Sequence, residues 1–343
     1  MTDKTEWKLY ETRWKIRDLY FDKVLRQHFL EKYFGREPKM YLYAGKRLLT
    51  IPQTNRVIYD ALMKDRPFMA SRFGNTEIWV TDCVLKNRIC GYSEENRNNF
   101  NKWFQRLCTG AGFFPCDEKL AGRFADVMLD ACSEIDLLAM WHRRMEDYII
   151  RHYIPRCRIT YLRWLEPWYN PDHPWTAALE GKNVLVIHPF EKSIRSQYER
   201  REELFPGTSI LPQFNLKVLK AIQTSAGEKD ERFRSWFEAL DYMYEEAMKI
   251  EFEVAIIGCG AYGMPLAARL KRSGKKVIHL GGVTQILFGI KGRRWVESRV
   301  DRIPFNDNWV YPGKEETPQN ASVVETGCYW EFTTDKKQEK QHS

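Results

Sequence analysis

Residues Glu253 to Gly282 read as strand, glycine turn, helix and strand, and that order constrains the chain more than any other stretch. The turn, Gly258-Cys259-Gly260-Ala261-Tyr262-Gly263, has the spacing that lets a backbone approach a phosphate. Glycines allow positive φ and close approach, and the N–H groups that open the next helix favour an anion. Pro265 suits a first helical turn, and Ser273-Gly274 is a stop signal. A dinucleotide site adds an acidic residue at the end of its second strand, about 20 residues past the turn, to hold the ribose. Here that strand, Val277-Ile278-His279-Leu280, runs into Gly281-Gly282 with no carboxylate. A phosphate cradle is expected and the nicotinamide-dinucleotide reading is weakened; three such glycines also serve tight packing of strand on helix.

The 343 residues are 43% hydrophobic and 29% charged, a globular profile with a sizeable core. Aromatic residues reach 14%; they suit sugar or base stacking, and equally a core. The net charge of +8 is spread along the chain and favours an anionic partner such as a nucleotide, a phosphorylated lipid or a membrane surface. No nucleic-acid-binding motif is present, so no nucleic-acid partner is expected. Eight scattered cysteines, none paired at metal-binding spacing, point to reduced thiols and a cytoplasmic setting. With no signal peptide or membrane-length apolar run, any membrane contact would be peripheral.

Residues 5–35 carry Trp14, Ile16, Leu19, Tyr20, Val24, Leu25 and Phe29 at helical spacing among Lys and Arg, which predicts a basic amphipathic helix. Residues 1–50 are therefore expected to form a helical extension, lying on an acidic membrane or packing on its own domain. Residues 51–312 are expected to form an α/β catalytic body with βα-rich halves at about 51–180 and 181–312. Residues 313–343 read as a turn-rich segment ending in a disordered tail. Within the body, Pro67 to Gly74 reads as a strand with Asn75-Thr76-Glu77 opening a helix. Residues 96–165 read mainly as helices, at 98–108, 117–132 and 144–152. Residues 183–188 read as an apolar strand and 233–250 as a helix. Alternation of strands and helices predicts an α/β, Rossmann-like, mostly parallel sheet with flanking helices.

Polar residues gather where these strands end. They are Ser71 to Glu77, His188 to Tyr198, Gly258 to Gly263, and a fourth run from Gly281 to Trp295. Parallel strands would bring these junctions to one edge, making a pocket of glycine backbone, cations and a carboxylate. Lys192, Ser193, Arg195 and Tyr198 suit phosphate or sugar hydroxyls, and His188 can act as a base or stand as a hydrogen-bonded structural residue. Cys259 reads as a small side chain filling the turn, and His279 as structural unless the pocket includes strand ends.

The run Arg72-Phe73-Gly74-Asn75-Thr76-Glu77 after a strand, with a late strand and glycine turn, resembles the bacterial GT-D-fold glycosyltransferases, once known only as a domain of unknown function. Their pattern reads roughly Arg-Phe-Gly-Asp-Gly-Glu. The match covers the motif and the α/β order over about residues 55–300. Asn75 stands where that family has Asp, and an amide brings an oxygen but no charge to a metal. The resemblance implies transfer of a sugar from a nucleoside diphosphate sugar to a glycan or lipid-linked acceptor, in surface-polysaccharide or glycan assembly. It implies Mg²⁺ or Mn²⁺ at Asn75 and Glu77, with Glu77 as the metal or catalytic carboxylate; His188, read from its own strand end, is a second catalytic candidate. Arg72, Gly74, Asn75, Lys192, Ser193, Arg195, Tyr198, Gly258, Gly260, Tyr262, Gly263, Gly281, Gly282, Lys291 and Arg294 are the expected substrate contacts. Asn75 and Glu77 equally suit a helix cap and first turn.

Two other functions stay open on the sequence. A nicotinamide-nucleotide oxidoreductase could replace the ribose acid with Lys271, Arg272 or Lys275 against a cofactor phosphate. A non-catalytic anion-binding or scaffold protein would be indifferent to divalent metal.

Overall fold

The computed structural model describes residues 3–20, 30, 41–142, 144–228, 230–298, 302–324 and 327–331. A small antiparallel hairpin, β1 (Leu42–Tyr43) and β2 (Lys46–Arg47), precedes the main sheet. That sheet has seven strands: β3 (Phe68–Ser71), β4 (Leu137–Met140), β5 (Arg158–Tyr161), β6 (Asn183–His188), β7 (Asn215–Lys220), β8 (Val254–Ile257) and β9 (Lys276–His279). Their order is β5-β4-β3-β9-β8-β6-β7, and every pairing is parallel. This is the expected α/β class, a parallel sheet flanked by helices.

All residues of β3, β4 and β8 are buried, as strands covered on both faces must be. Alternate side chains feed two separate cores. Met69, Leu138, Leu185, Ile187, Ala255 and Ile257 enter one, and Phe68, Ala70, Leu137, Ala139, Val186 and Ile256 the other. The period of two along each strand decides which face a residue serves. Strands β3–β5 come from the first half of the body and β6–β9 from the second, and they join through β3 against β9, with Ala70 opposite Ile278.

Three of the helices start at side chains that cap them. Thr50 and Gln53 form a reciprocal capping box on helix Ile51–Met63. Ser93 caps Glu94–Ala111 and Ser235 caps Trp236–Met248. The expected helices at 98–108, 117–132, 144–152 and 233–250 appear as Glu94–Ala111, Ala121–Cys132, Glu146–Tyr153 and Trp236–Met248.

Three strands depart from the sequence reading. β4 and β5 lie inside the stretch read mainly as helices, and β7 was not expected. Leu137-Leu138-Ala139-Met140 is a short apolar run with no alternation to separate strand from buried helix. β7 is an edge strand and only half buried.

The N-terminal helix Asp3–Leu19 packs on the body through Trp7 and Tyr10, whose rings meet Tyr148 at 4.7 and 5.4 Å. Arg17 pairs with Asp147 at 3.0 Å and Lys86 with Glu11 at 2.6 Å. Val24, Leu25 and Phe29 lie outside the described residues, as does the tail expected to be disordered from residue 335. The C-terminal segment is turn-rich but anchored: the Glu316 carboxylate accepts the backbone N–H of Lys192 at 2.8 Å, and Trp330 Nε1 donates to the Glu316 carbonyl at 3.0 Å.

The expectation of eight reduced thiols is corrected at one pair. Cys108 and Cys116 form a disulfide, with their Cα atoms 5.7 Å apart, because the chain turns back beside the end of helix Glu94–Ala111. No helix among the described residues is long and apolar enough to cross a membrane.

Candidate active site

The loops after β6 and β8 leave in opposite directions, one toward β7 at the sheet edge and the other toward β9. Such a divergence opens a crevice beyond the strand ends. A cavity of about 1020 Å³ lies there, and each strand of the sheet lends it a residue at or just past its end: Arg72, Trp141, Leu162, His188, Ile222, Gly258 and His279.

Arg72 to Glu77 form one wall. Gly74 is the N-cap of helix Asn75–Cys90 and has no side chain to cap it. The Glu77 side chain does this instead, folding back so that its carboxylate lies where a β-carbon of Gly74 would project. The backbone N–H groups of Glu77 and Thr76 favour its charged form. Burial nonetheless pushes its pKa above the usual carboxylate range, against the pull of those N–H groups and of Arg72. Arg72 is held over the Trp141 ring at 4.7 Å, and its Nε donates to the Phe73 carbonyl at 3.2 Å. Trp141 Nε1 donates to that same carbonyl at 2.6 Å, which locks the platform under the guanidinium.

Burial and the neighbouring Arg294 charge lower the Arg72 pKa, while Tyr329, Glu77 and Glu166 raise it. Arg294 lies over the Tyr329 ring at 5.4 Å. A β-carbon on Gly282 would stand 2.5 Å from Tyr329 Cε1, so the second glycine turn is what admits that ring. Arg72, Arg294, Tyr329, Glu77 and Glu166 all line the cavity.

These residues do not fit the expected Mg²⁺ or Mn²⁺. The single carboxylate of the Asn75 and Glu77 pair is folded back over Gly74 under the influence of Arg72, and the amide adds no charge. Among the described residues, no three His, Cys, Asp or Glu side chains gather as a metal-binding group. The charge that acts on Glu77 is the Arg72 guanidinium, which repels a divalent cation and attracts phosphate.

The first glycine turn is shaped by close packing. A β-carbon on Gly258 would meet the Gly281 carbonyl at 2.5 Å and Thr284 Oγ1 at 2.6 Å, so the two glycine turns touch through their backbones. Gly263 is pressed against the His279 ring and lies outside the cavity lining. Tyr262 is stacked on Trp236 at 5.1 Å, and its hydroxyl meets Thr224 Oγ1 at 3.0 Å. Cys259 is buried, which pushes its thiol pKa up and leaves it protonated.

His188 lines the cavity. Its Nδ1 accepts the Phe190 N–H at 3.0 Å, and burial lowers its pKa to about 3. The ring is therefore neutral with its proton on Nε2, which makes it a donor and not the base the sequence suggested. His279 lines the cavity as well; Nδ1 lies 2.9 Å from Ser71 Oγ, and burial with the Arg72 charge lowers its pKa to about 3.

The cavity lining contains Arg72, Gly74, Asn75, Glu77, His188, Gly258, Gly260, Tyr262, Gly281, Gly282 and Arg294 of the expected residues. Lys192, Ser193, Arg195, Tyr198, Gly263 and Lys291 lie outside it. Lys192 Nζ pairs with Glu315 at 2.5 Å, and Ser193 Oγ donates to Glu316. Arg195 pairs with Glu191 at 3.0 Å, one helical turn away. The Tyr198 hydroxyl donates to the Phe214 carbonyl at 2.9 Å and so holds β7. Lys291 Nζ lies 5.4 Å from the Tyr311 ring. The cations considered for a cofactor phosphate are also bound elsewhere: Lys271 to Asp136 at 2.8 Å, Arg272 to Asp130 at 2.6 Å, and Lys275 to the Phe252 carbonyl at 2.9 Å.

Sequence reading missed Trp103, Arg106, Trp141, Glu166 and Tyr329, which all line the cavity. The aromatic surplus was a signal for the three rings, but nothing local separates them from core residues. Arg106 lies over the Trp103 ring at 4.8 Å, and that ring stacks on Trp79 at 4.7 Å.

No family model and no curated relative matches the chain. The chain is similar to a glycosyltransferase fold. The solved structure concerned is described as "The highly conserved domain of unknown function 1792 has a distinct glycosyltransferase fold"; identity is 14%, the TM-score 0.43, and the match covers 86% of this chain and 94% of the other. A selenomethionine-substituted structure of that domain of unknown function gives 13% identity, a TM-score of 0.41 and the same coverage. At these values the likeness assigns no residue roles.

Proposed function

We propose that the chain is a glycosyltransferase that moves a sugar from a nucleoside diphosphate donor to an acceptor hydroxyl, in surface-polysaccharide or glycan assembly. The observation that carries this reading is one cavity at the strand ends that joins Arg72 and Arg294 with the carboxylates of Glu77 and Glu166 and the rings of Trp141 and Tyr329. Cations receive the diphosphate, aromatic faces receive the base or sugar, and a buried carboxylate accepts a proton.

In the transfer, the bond from the anomeric carbon to the diphosphate oxygen breaks, and its electron pair leaves with the diphosphate. The acceptor oxygen bonds to that carbon and its proton passes to Glu77, whose raised pKa suits a base. The Nε2–H of His188 donates to a sugar or phosphate oxygen. The acceptor is a glycan or a lipid-linked hydroxyl.

The test is incubation with UDP-, GDP-, CDP- and dTDP-linked hexoses, reading nucleoside diphosphate release and thermal shift. Release with at least one donor, reduced about 100-fold or more in Glu77→Gln, supports the reading. Absence of both release and a thermal shift across the panel overturns it.

A further inference from the structure

We propose that Arg72 and Arg294 hold the donor diphosphate in place of a divalent metal ion, so that this site binds nucleoside diphosphates without metal. The inference rests on the nucleotide-sugar reading above and goes beyond it by naming the charge that meets the leaving group.

Arg72 and Arg294 reach the cavity from different elements. Arg72 follows β3 and lies over the Trp141 ring, with its Cδ, Cζ and Nη1 grouped 3.5–3.6 Å from where a Gly281 β-carbon would stand. Arg294 sits on helix Arg293–Val296 and reaches over Tyr329, which packs on Gly282. The turn Gly281-Gly282 thus lies between the two arginine-bearing elements, its missing β-carbons leaving room for the Arg72 side chain at Gly281 and the Tyr329 ring at Gly282, and both glycines line the cavity. Guanidinium groups stay charged and bind phosphate oxygens in pairs of parallel hydrogen bonds. Like charges in one cavity repel, and a bound anion relieves that repulsion.

The carboxylate side is poorly suited to the alternative. Glu77 is turned onto its own helix start and next to Arg72, and Asn75 supplies a neutral amide. A divalent ion there would face a guanidinium with one carboxylate in support. The two schemes assign opposite roles to Glu77. As a metal ligand it attracts the donor, whereas beside a bare diphosphate its negative charge opposes it.

The experiment is calorimetric titration of the full chain with UDP, GDP, ADP, CDP and dTDP, each in EDTA and in Mn²⁺, for the wild type, Arg294→Ala, Arg294→Lys, Glu77→Gln and Lys192→Ala. Binding of one diphosphate in EDTA within about threefold of its Mn²⁺ affinity is expected. Arg294→Ala weakens it at least tenfold, Arg294→Lys restores part, Glu77→Gln leaves it equal or tighter, and Lys192→Ala changes nothing. Binding that requires Mn²⁺ and is lost in Glu77→Gln overturns the arginine proposal while leaving the glycosyltransferase reading intact. Binding unaffected by Arg294→Ala also overturns it. Failure of every diphosphate in both buffers removes both.

Discussion

The carboxylate of Glu77 fills the space into which a β-carbon on Gly74 would project, so the glycine and the acid three residues later form one unit. The glycine leaves room and the acid closes the helix end that the glycine leaves uncapped. This explains why the two occur together at the end of β3.

Gly74→Ala is expected to expel the Glu77 side chain and destabilise the protein by about 1–3 kcal/mol. Gly110→Ala, at a helical glycine whose added β-carbon meets nothing within 4 Å, is expected to stabilise by about 0.5–1 kcal/mol. Urea midpoints with an unchanged slope check both. Equal effects at the two sites would refute the pairing of Gly74 with Glu77.

His188 and His279 make stability depend on pH in a defined direction. Their pKa values fall from 6.5 to about 3 on folding, so the unfolded chain takes protons first as the pH drops. Their contribution is complete above pH 6.5 and is lost progressively toward about pH 3. Glu77 runs the other way. Its folded pKa is raised above 4.5, so the folded state gains the proton first on acidification and is stabilised by it. Melting temperature against pH is expected to be flatter in His188→Asn and steeper in Glu77→Gln than in the wild type.

Reduction of Cys108–Cys116 is expected to cost about 2.5 kcal/mol, the loop-closure value for a separation of 8 residues. The loop that the bond closes carries the cavity-lining residues Thr109 to Gly112, and it is also held without the bond: the Gly112 carbonyl accepts the Thr224 hydroxyl at 2.6 Å, and Phe114 O accepts the Trp236 N–H at 2.7 Å. Cys116→Ser, which cannot form the bond, should show the same melting temperature with and without reductant. Thiol counting in denaturant should find six free cysteines in the oxidised protein. Eight would show that the bond does not form.

Much of the second half of the sheet was legible because its signals are local. The β8 and β9 unit carries its own glycine turn and helix stop, and β6 is a continuous apolar run bounded by polar residues. β4 lacked such punctuation, and its helix-compatible residues became a strand only by pairing between β3 and β5. The same division holds in the site. Arg72, Gly74 and Glu77 were visible because adjacent residues on one strand end and helix start make the motif. Trp141, Glu166 and Tyr329 were invisible because each is an ordinary residue until the sheet brings it beside Arg72.

The sequence alone determined the class of the fold, the glycine turns and the polar strand ends, since propensity, periodicity and capping act over a few residues. Only the tertiary structure decided which charges share a cavity. Lys192 and Arg195 had the same local credentials as Arg72 and Arg294, yet they pair with Glu315 and Glu191 outside the cavity, while the other two line it. The reason is physical. A side chain's partner is set by strand order and by the direction in which its helix leaves the sheet, and both depend on contacts between residues far apart in the chain.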